Sequence, residues 1–256
     1  MRLEISANAS SRVWQARSIR SAARRGPSKR SAQGHEPVTE QLYINGRPLA
    51  VTPGQTLLGS LEMAGVNVPS LCYEPRLPPQ GTCRLCLVEV DGLAKPVAAC
   101  TTLAEPGMRV TTESEGLIEY RRLILELLLS ETPPAQGCPR CSTLGPCQLH
   151  AAASRYGAQE DRFPRLSPRK LSQDPNPFIR RDYQWCIACF RCTRICEELE
   201  MARAIVPSDR GQSTCITSFP LDLLLESPCT FCGQCIHTCP TGALMDRKVL
   251  RQLGYE

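Results

Sequence analysis

The sequence predicts an α+β protein made of three successive cysteine-rich parts, and three observations support this fold class. First, short strand-like runs and two turn signals surround four cysteines within residues 41–114. Second, a helical pattern precedes three further cysteines within residues 115–162. Third, two runs of four cysteines at a repeated spacing fill residues 178–246. Thiols gathered in such numbers indicate bound metal.

The composition suits small domains that metal ligation helps to stabilise. The 256 residues are enough for two or three such domains, and 16 of them are cysteines, far more than a cytosolic chain keeps without metal. Aromatic residues make up only 5% of the chain, which excludes large aromatic cores. Metal ligation can supply part of the folding free energy in their place.

The basic charge of the chain is confined to its first 40 residues. Residues 1–40 carry eight Lys or Arg against three Glu, a net charge of +5 that equals the total for the chain, so residues 41–256 are balanced. A neutral body lacks the electrostatic footprint of a nucleic-acid-binding protein. We predict a disordered basic tail at 1–40 and a cytoplasmic protein, although the Arg- and Ser-rich start is also typical of an organelle transit peptide. The longest apolar run, residues 123–129, is too short and too interrupted to span a membrane.

The signals in residues 41–114 predict a β-grasp domain. Asn45-Gly46 and Asp91-Gly92 are strong hairpin signals, and Thr56 can cap a helix that ends at Gly65. Two hairpins packed on one helix, with a further closing strand, form the ubiquitin-like, β-grasp arrangement. The strands are expected at 41–44, 49–52, 85–90, 95–99 and 109–112, and the helix at 56–64.

Four cysteines fall within this domain, spaced Cys72-x10-Cys83-x2-Cys86-x13-Cys100. Four thiolates on one small domain suit a [2Fe–2S] centre, although the first loop is longer than in the plant-type spacing. Gly81 suits a loop whose backbone N–H groups turn towards cluster sulfurs. For this domain taken alone, structural zinc remains an alternative.

The second part combines two helices with three thiols. Residues 115–130 have the apolar side of a packed helix, which Pro133-Pro134 ends. A second helix is expected at 148–156, stopping at Gly157. Four prolines within residues 163–177 then predict an extended linker. The thiols between the two helices are spaced Cys138-x2-Cys141-x5-Cys147.

The third part carries the ligand pattern of a bacterial-type two-cluster ferredoxin, in which the fourth cysteine of each run ligates the other cluster. Zinc sites seldom need a third thiol at this interval, and disulfides are typical of small secreted domains, so iron–sulfur clusters are favoured over both. The predicted ligands of the first [4Fe–4S] cluster are Cys186, Cys189, Cys192 and Cys239. Those of the second are Cys229, Cys232, Cys235 and Cys196. Residues 247–256 are expected to be a short tail.

The order of these parts resembles one known module. It is the N-terminal electron-transfer segment of the largest peripheral-arm subunit of complex I, of the NAD-dependent formate dehydrogenase alpha subunit, of iron-only hydrogenases and of the small diaphorase subunit of NAD-reducing hydrogenases. The resemblance covers residues 41–246, and the formate dehydrogenase branch is the most similar in wording. The motifs that carry it are Cys72…Cys83-x2-Cys86…Cys100, Asn176-Pro-Phe-Ile-Arg-Arg-Asp182, Glu226-Ser-Pro-Cys229, Cys232-Gly-Gln-Cys235 and Cys239-Pro-Thr-Gly-Ala243.

The resemblance implies a third [4Fe–4S] cluster on Cys138, Cys141 and Cys147. In that family a histidine four residues before the first of these cysteines supplies the fourth ligand, and here Pro134 stands there without a ligand atom. His150 is a possible substitute. A cubane held by three thiolates with an oxygen donor, or an empty site, are the alternatives.

The resemblance also implies the function of an iron–sulfur electron-transfer subunit. It would relay single electrons between a flavin- and NAD(P)-binding partner and a catalytic partner of the molybdenum or hydrogenase type. Only residues 241–256 follow the last motif, and no glycine-rich nucleotide loop is present, so no substrate-binding active site is expected in this chain. Two alternatives are one part of a split molybdopterin formate dehydrogenase alpha subunit and a cluster-based redox or oxygen sensor.

Four residues near the motifs have no assigned ligand role. Cys215 is expected to be a buried free thiol, and His237 a surface residue or a hydrogen-bond donor beside a cluster. Arg191 and Arg194 flank the first cubane loop, where positive charge would favour the reduced cluster, or they are solvated. Exposed apolar patches beside 77–80 and the first ferredoxin loop are predicted docking sites.

Overall fold

The computed structural model describes residues 41–255 with the exception of 167, 168, 170, 171, 220 and 221. The predicted basic tail at 1–40 lies outside the described residues. Strands β1 (Gln41–Ile44) and β2 (Arg47–Ala50) form the expected hairpin. Both turn residues, Asn45 and Gly46, have positive φ angles of 49° and 81°, as a tight type I′ turn requires.

The first part is a five-stranded sheet with one helix packed on it. The further strands are β3 (Leu87–Val90), β4 (Val97–Ala98) and β5 (Arg109–Thr111), and the order is β2-β1-β5-β3-β4 with β1 and β5 parallel. Helix α1 (Leu57–Met63) begins after Thr56, whose hydroxyl accepts a hydrogen bond from the Gly59 N–H. Its leucines bury one face against the sheet. This is the β-grasp arrangement expected from the two hairpins.

Helix α2 (Glu115–Ser130) joins the first part to the second. Ser114 caps it by accepting from the Leu117 N–H. The Arg121 side chain is fully buried and donates hydrogen bonds to the carbonyls of Leu85 and Leu87, next to the Cys86 loop. Helices α3 (Pro139–Leu144) and α4 (Gln148–Tyr156) follow, and α4 packs on α2. The Gly157 φ of 63° ends α4 in the left-handed conformation, as the sequence predicts.

The third part contains two small antiparallel pairs. Strand β6 (Ile179–Arg181) pairs with β9 (Leu244–Asp246), and β7 (Ile205–Ser208) pairs with β8 (Cys215–Ser218). Helix α5 (Arg191–Arg194) continues into a π-helical turn, Ile195–Leu199, and α6 (Gln234–Thr238) occupies the matching place in the second cysteine run. The apolar residues between these elements form one core that includes cysteines of both runs.

Two stretches differ from the expectations. The sequence predicts a tail at 247–256, yet helix α7 (Arg247–Gln252) forms there, because Asp246 caps it and Leu250 is fully buried. The sequence predicts an unpacked linker at 163–177, but the end of this segment is packed. Asn176 is fully buried there, and its side-chain oxygen accepts from the Ile179 N–H. Proline restricts the backbone without preventing burial, provided that the polar groups find partners.

A carboxylate ties the first part to the third. Glu74 is 7% exposed and accepts hydrogen bonds from Arg76 Nε at 2.7 Å and Thr238 Oγ1 at 2.8 Å. Arg191 NH2 lies 3.7 Å from the same carboxylate. The hydrogen bond from Arg76 is the main reason that the pKa of Glu74 is lowered to about 2. The interaction therefore joins the loop after Cys72 to α6, which carries Cys235.

Replacing Glu74 by glutamine is expected to lower the free energy of unfolding by about 1–3 kcal/mol, because the buried donors lose a charged acceptor. The folded pKa is below the unfolded value, so the contribution is complete above about pH 4.3 and is lost only as pH falls towards 2. The deficit of E74Q should therefore be constant from pH 8 to pH 5 in anaerobic thermal melts. E197Q, which alters an exposed pair with Arg203, is the control and should change stability by about 0–1 kcal/mol. A deficit that shrinks between pH 8 and pH 5 would contradict the low pKa.

Candidate metal centres

The four cysteines of the first part lie together in the loops around β3 and β4. Cys72, Cys86 and Cys100 are buried and Cys83 is half-buried. Two backbone groups point at sulfur: the Leu71 N–H donates to Cys83 Sγ and the Cys83 N–H donates to Cys72 Sγ, both at 3.4 Å. Gly81, with φ of +66°, makes the turn that precedes Cys83. N–H groups directed at the thiols are what cluster sulfurs require.

The thiols of this site form two pairs. The hydrogen bond from the Cys72 thiol lowers the pKa of Cys83 to about 5, while the pKa of Cys72 is raised. In the same way Cys86 lowers the pKa of Cys100, and its own pKa is raised. One thiolate in each pair is therefore stabilised before any metal binds. Two pairs of thiols suit a binuclear iron centre, in which each iron takes two cysteines.

In the third part, two cavities are each lined by four cysteines. Each cavity takes three thiols from one run and the fourth from the other run, as the ferredoxin ligand pattern requires. The first cavity is lined by Cys186, Cys189, Cys192 and Cys239. The second is lined by Cys196, Cys229, Cys232 and Cys235. The two sets are those that the sequence predicts as cubane ligands.

The backbone around both cavities is wound to direct N–H groups at sulfur. Ala188 and Phe231 have φ angles of 50° and 55°, unusual for residues with side chains. Their N–H groups donate to Cys186 Sγ and Cys229 Sγ, both at 3.4 Å. Burial raises the pKa of Cys186 to about 11. Loading a cluster must therefore release protons from such thiols, and the affinity for iron is expected to rise with pH.

The three cysteines of the second part lie with a histidine. Cys138 ends a short 3₁₀ turn, Cys141 lies in α3, and Cys147 immediately precedes α4. His150 Nδ1, one turn into α4, lies 3.0 Å from Cys141 Sγ and 3.3 Å from Cys147 Sγ. One ligand atom from each of the four residues falls within 4.8 Å of all the others. Sequence reasoning reaches His150 only as a possible substitute, since the rotation of α4 about its axis depends on packing against α2.

The second and third parts meet at Gly242. A β-carbon built on Gly242 would lie 2.9 Å from Cys138 Sγ and 3.2 Å from Pro139. Such an approach is closer than a side chain tolerates, so only glycine lets the turn after Cys239 pass this close to the middle cysteines. The indole of Trp185 packs edge-on against the His150 ring, with 6.2 Å between their centroids.

The residues left over by the ligand sets have ordinary surroundings, with one exception. Cys215 is half-buried rather than buried, and its thiol lies 3.6 Å from Asp209 Oδ2. His237 is exposed. Arg194 pairs with Glu198 on the same helical face. The exception is Arg191, which is buried rather than solvated and donates to Gln148 Oε1 at 2.9 Å.

The expected apolar docking patches are not formed where the sequence predicts them. Leu77 and Ile187 are buried, at 5% and 8% exposure. Exposed apolar side chains occur instead near the second cubane cavity. Phe178 is one of them, and its ring lies 5.0 Å from that of Phe231, in the loop between Cys229 and Cys232. Phe178 projects because Asn176 fixes its backbone and leaves its side chain outside the core.

Across the described ranges, no helix combines the length and apolar character needed to cross a lipid bilayer. The longest, α2, has 16 residues.

Comparisons with known proteins agree with this architecture. Residues 38–115 match the family model described as "2Fe-2S iron-sulfur cluster binding domain". Residues 176–245 match the model described as "NADH-quinone oxidoreductase subunit 3, ferredoxin-like domain". A chain in the crystal structure of an NAD+-reducing [NiFe]-hydrogenase in the H2-reduced state superposes with a TM-score of 0.73 at 30% identity, covering 82% of this chain and 88% of that chain.

Curated relatives match over most of this chain. The second 75-kDa-type subunit of the NADH-quinone oxidoreductase of Rhizobium meliloti is 37% identical over 209 residues, which are 80% of this chain and 24% of the relative. The NADPH-Fe(3+) oxidoreductase subunit alpha of Geobacter sulfurreducens is 34% identical with the same coverage. The NADP-reducing hydrogenase subunit HndD of Solidesulfovibrio fructosivorans is 32% identical and covers 82% of this chain and 36% of the relative. The chain thus spans between about a quarter and a third of the length of these relatives.

The fold and the matched domains define an iron–sulfur protein of the electron-transfer class. The chain belongs to the family of iron–sulfur subunits that includes the 75-kDa-type subunits of NADH-quinone oxidoreductases and subunits of NAD-reducing hydrogenases.

Proposed function

We propose that this chain is the electron relay of a multisubunit, NAD(P)-linked oxidoreductase. It would carry one [2Fe–2S] centre on Cys72, Cys83, Cys86 and Cys100, and two [4Fe–4S] clusters on the interleaved sets described above. The two thiol-lined cavities that share their cysteine runs are the observation that carries the proposal. Each cavity borrows a ligand from the other's loop, so two clusters bound there would be close neighbours.

The packing supports a continuous route for electrons. Cys83 of the first site, the middle cysteines and Cys186 and Cys189 of the first cubane set pack around one apolar core. Cys186, Cys192 and Cys239 also contact a second core that includes Cys196, Cys229 and Cys235. The relay would therefore run from the [2Fe–2S] centre to the first cubane and on to the second. Apolar packing around clusters excludes water and helps to set their reduction potentials.

The proposed partners follow from the family and from the place where a cluster site approaches the surface. A flavin- and NAD(P)-binding subunit would convert hydride pairs into single electrons at one end of the relay. At the other end, a molybdenum-containing partner of the formate dehydrogenase type, or a hydrogenase, would exchange electrons with the outer cluster. Cys232 is the one exposed thiol among the fifteen predicted ligands, all of which lie in the described part of the chain. We therefore infer that the second cubane lies at a partner interface, and that the assembly is cytoplasmic, where unpaired thiols persist.

The test is anaerobic purification of the chain with its stable partners, followed by EPR during stepwise reduction. We expect one [2Fe–2S] signal, two cubanes whose spins interact, and reduction of all three by NAD(P)H in stopped-flow measurements when a flavin subunit copurifies. Two cubanes that titrate without magnetic interaction would contradict the interleaved arrangement. A complex without flavin whose clusters NAD(P)H does not reduce would contradict the relay.

A further inference from the structure

The middle cysteines are grouped much more tightly than a cubane requires. A cubane holds its ligands at the corners of a body made of four irons and four sulfides, and the two cavities of the third part leave room for such bodies. Around a single tetrahedral zinc ion, bond lengths of about 2.0–2.3 Å place the ligand atoms about 3.5–3.8 Å apart. His150 Nδ1 lies 3.0 and 3.3 Å from the sulfurs of Cys141 and Cys147, close to the single-ion spacing.

The other predicted sites offer an internal comparison. Within the described residues, Cys138, Cys141, Cys147 and His150 form the one group identified in which at least three ligand atoms all lie within 4.8 Å of each other. The thiols that line the two cubane cavities are more widely spread than this. The chain therefore shows two kinds of thiol site, one wide and one narrow, and the middle site is of the narrow kind. Its residues do not fit the cubane that the family implies.

The orientation of His150 is explained by the thiols. Its Nδ1 faces Cys141 and Cys147, while its Nε2 is buried without a hydrogen-bond partner among the described residues. A buried polar nitrogen without a partner costs about 1–3 kcal/mol. A bond from Nδ1 to a metal would offset that cost, and the edge of Trp185 holds the ring in place.

We propose that Cys138, Cys141, Cys147 and His150 bind one zinc ion as a structural Cys3His centre, in place of a third iron–sulfur cluster. Three thiolates and one imidazole form a common zinc ligand set. The ion joins α3 to the start of α4 beneath the turn that contains Gly242, which fixes the junction between the second and third parts. Zinc has no redox chemistry, so electrons pass between the [2Fe–2S] centre and the first cubane without a stop at this site.

Metal analysis of the full chain, purified anaerobically, tests the proposal. We expect about one zinc and about ten irons per chain, from one binuclear centre and two cubanes. Zinc X-ray absorption should show three sulfurs at about 2.3 Å and one nitrogen at about 2.0–2.1 Å. About fourteen irons would overturn the proposal, and so would a chain without zinc.

A histidine pair supplies the matched variants. H150Q is expected to lose zinc to a chelator at least ten times faster than the unmodified chain while it keeps about ten irons and the EPR signals of all three clusters. H237Q changes an exposed histidine outside every ligand set and should retain zinc and iron as the unmodified chain does. Zinc that H150Q holds as tightly as H237Q would overturn the role of His150. Because zinc content and EPR are read separately, a failure here is distinguishable from a failure of the relay.

Discussion

Replacing Cys239 by alanine is expected to remove the first cubane, although Cys239 belongs to the second cysteine run. Its thiol lines the cavity of Cys186, Cys189 and Cys192, and the other three thiols of its own run line the other cavity. Iron content should fall by about four atoms per chain, and the magnetic interaction between the two cubanes should disappear from the EPR spectrum of the reduced protein. Because the missing cluster is internal to the proposed route, transfer from the [2Fe–2S] centre to the second cubane should also be lost.

Two companion variants make this result specific. C196A should produce the reciprocal outcome, loss of the second cubane with the first retained. C215A alters a half-buried thiol that lies beside Asp209 and lines neither cavity, so its iron content and spectra should match those of the unmodified chain. Loss of the cluster on Cys229, Cys232 and Cys235 in C239A would show that the runs are not interleaved.

Replacing Arg181 by methionine is expected to lower the free energy of unfolding by about 3–5 kcal/mol, because a buried charged network loses its central cation. Arg181 NH2 lies 2.9 Å from Asp174 Oδ2, and Arg181 NH1 lies 2.7 Å from Asp222 Oδ1. Both Arg181 and Asp174 are almost completely buried. Methionine keeps an unbranched apolar side chain at the position but removes the positive charge beside the Asp174 carboxylate. In a chain of this size the melting temperature should fall by about 10 °C in anaerobic circular dichroism scans.

The control is an arginine whose ion pair is exposed. R203M removes a surface pair with Glu197 and should change the free energy of unfolding by about 0–1 kcal/mol. Equal effects of R181M and R203M would indicate that the buried network contributes nothing beyond an ordinary surface pair. The iron content of R181M, measured below its melting temperature, should be unchanged, since no thiol is removed.

The sequence predicts the local elements well where a short-range rule decides them. Asn45-Gly46 imposes the hairpin, the Thr56 hydroxyl begins α1, and Gly157 ends α4, because each rule involves residues within a few positions of one another. The spacing of the ferredoxin cysteines likewise identifies two thiol groups that the structure brings together in two cavities. Spacing alone does not show that those groups hold iron, so the ligand assignments stay predictions.

The sequence does not predict features that depend on partners far along the chain. Glu74 meets Thr238 across 164 positions, and Arg181 meets Asp222 across 41. Leu250 reads as part of a polar tail until β9 provides the surface that α7 covers. The direction of His150 is set by the packing of α4 on α2, which periodicity does not encode. In each case the deciding energy is tertiary, and no local signal could have replaced it.

Gly242 gives the molecule an interlocked character. The bare backbone at this position lets the loop that supplies a ligand to one metal body rest directly on the sulfur of another, with no space between them for even a methyl group. Neighbouring centres that share a wall in this way cannot be exchanged independently, as beads on a thread could be. Maturation of the protein is therefore a joint event at this seam, and the shape of each pocket is set in part by the contents of the other.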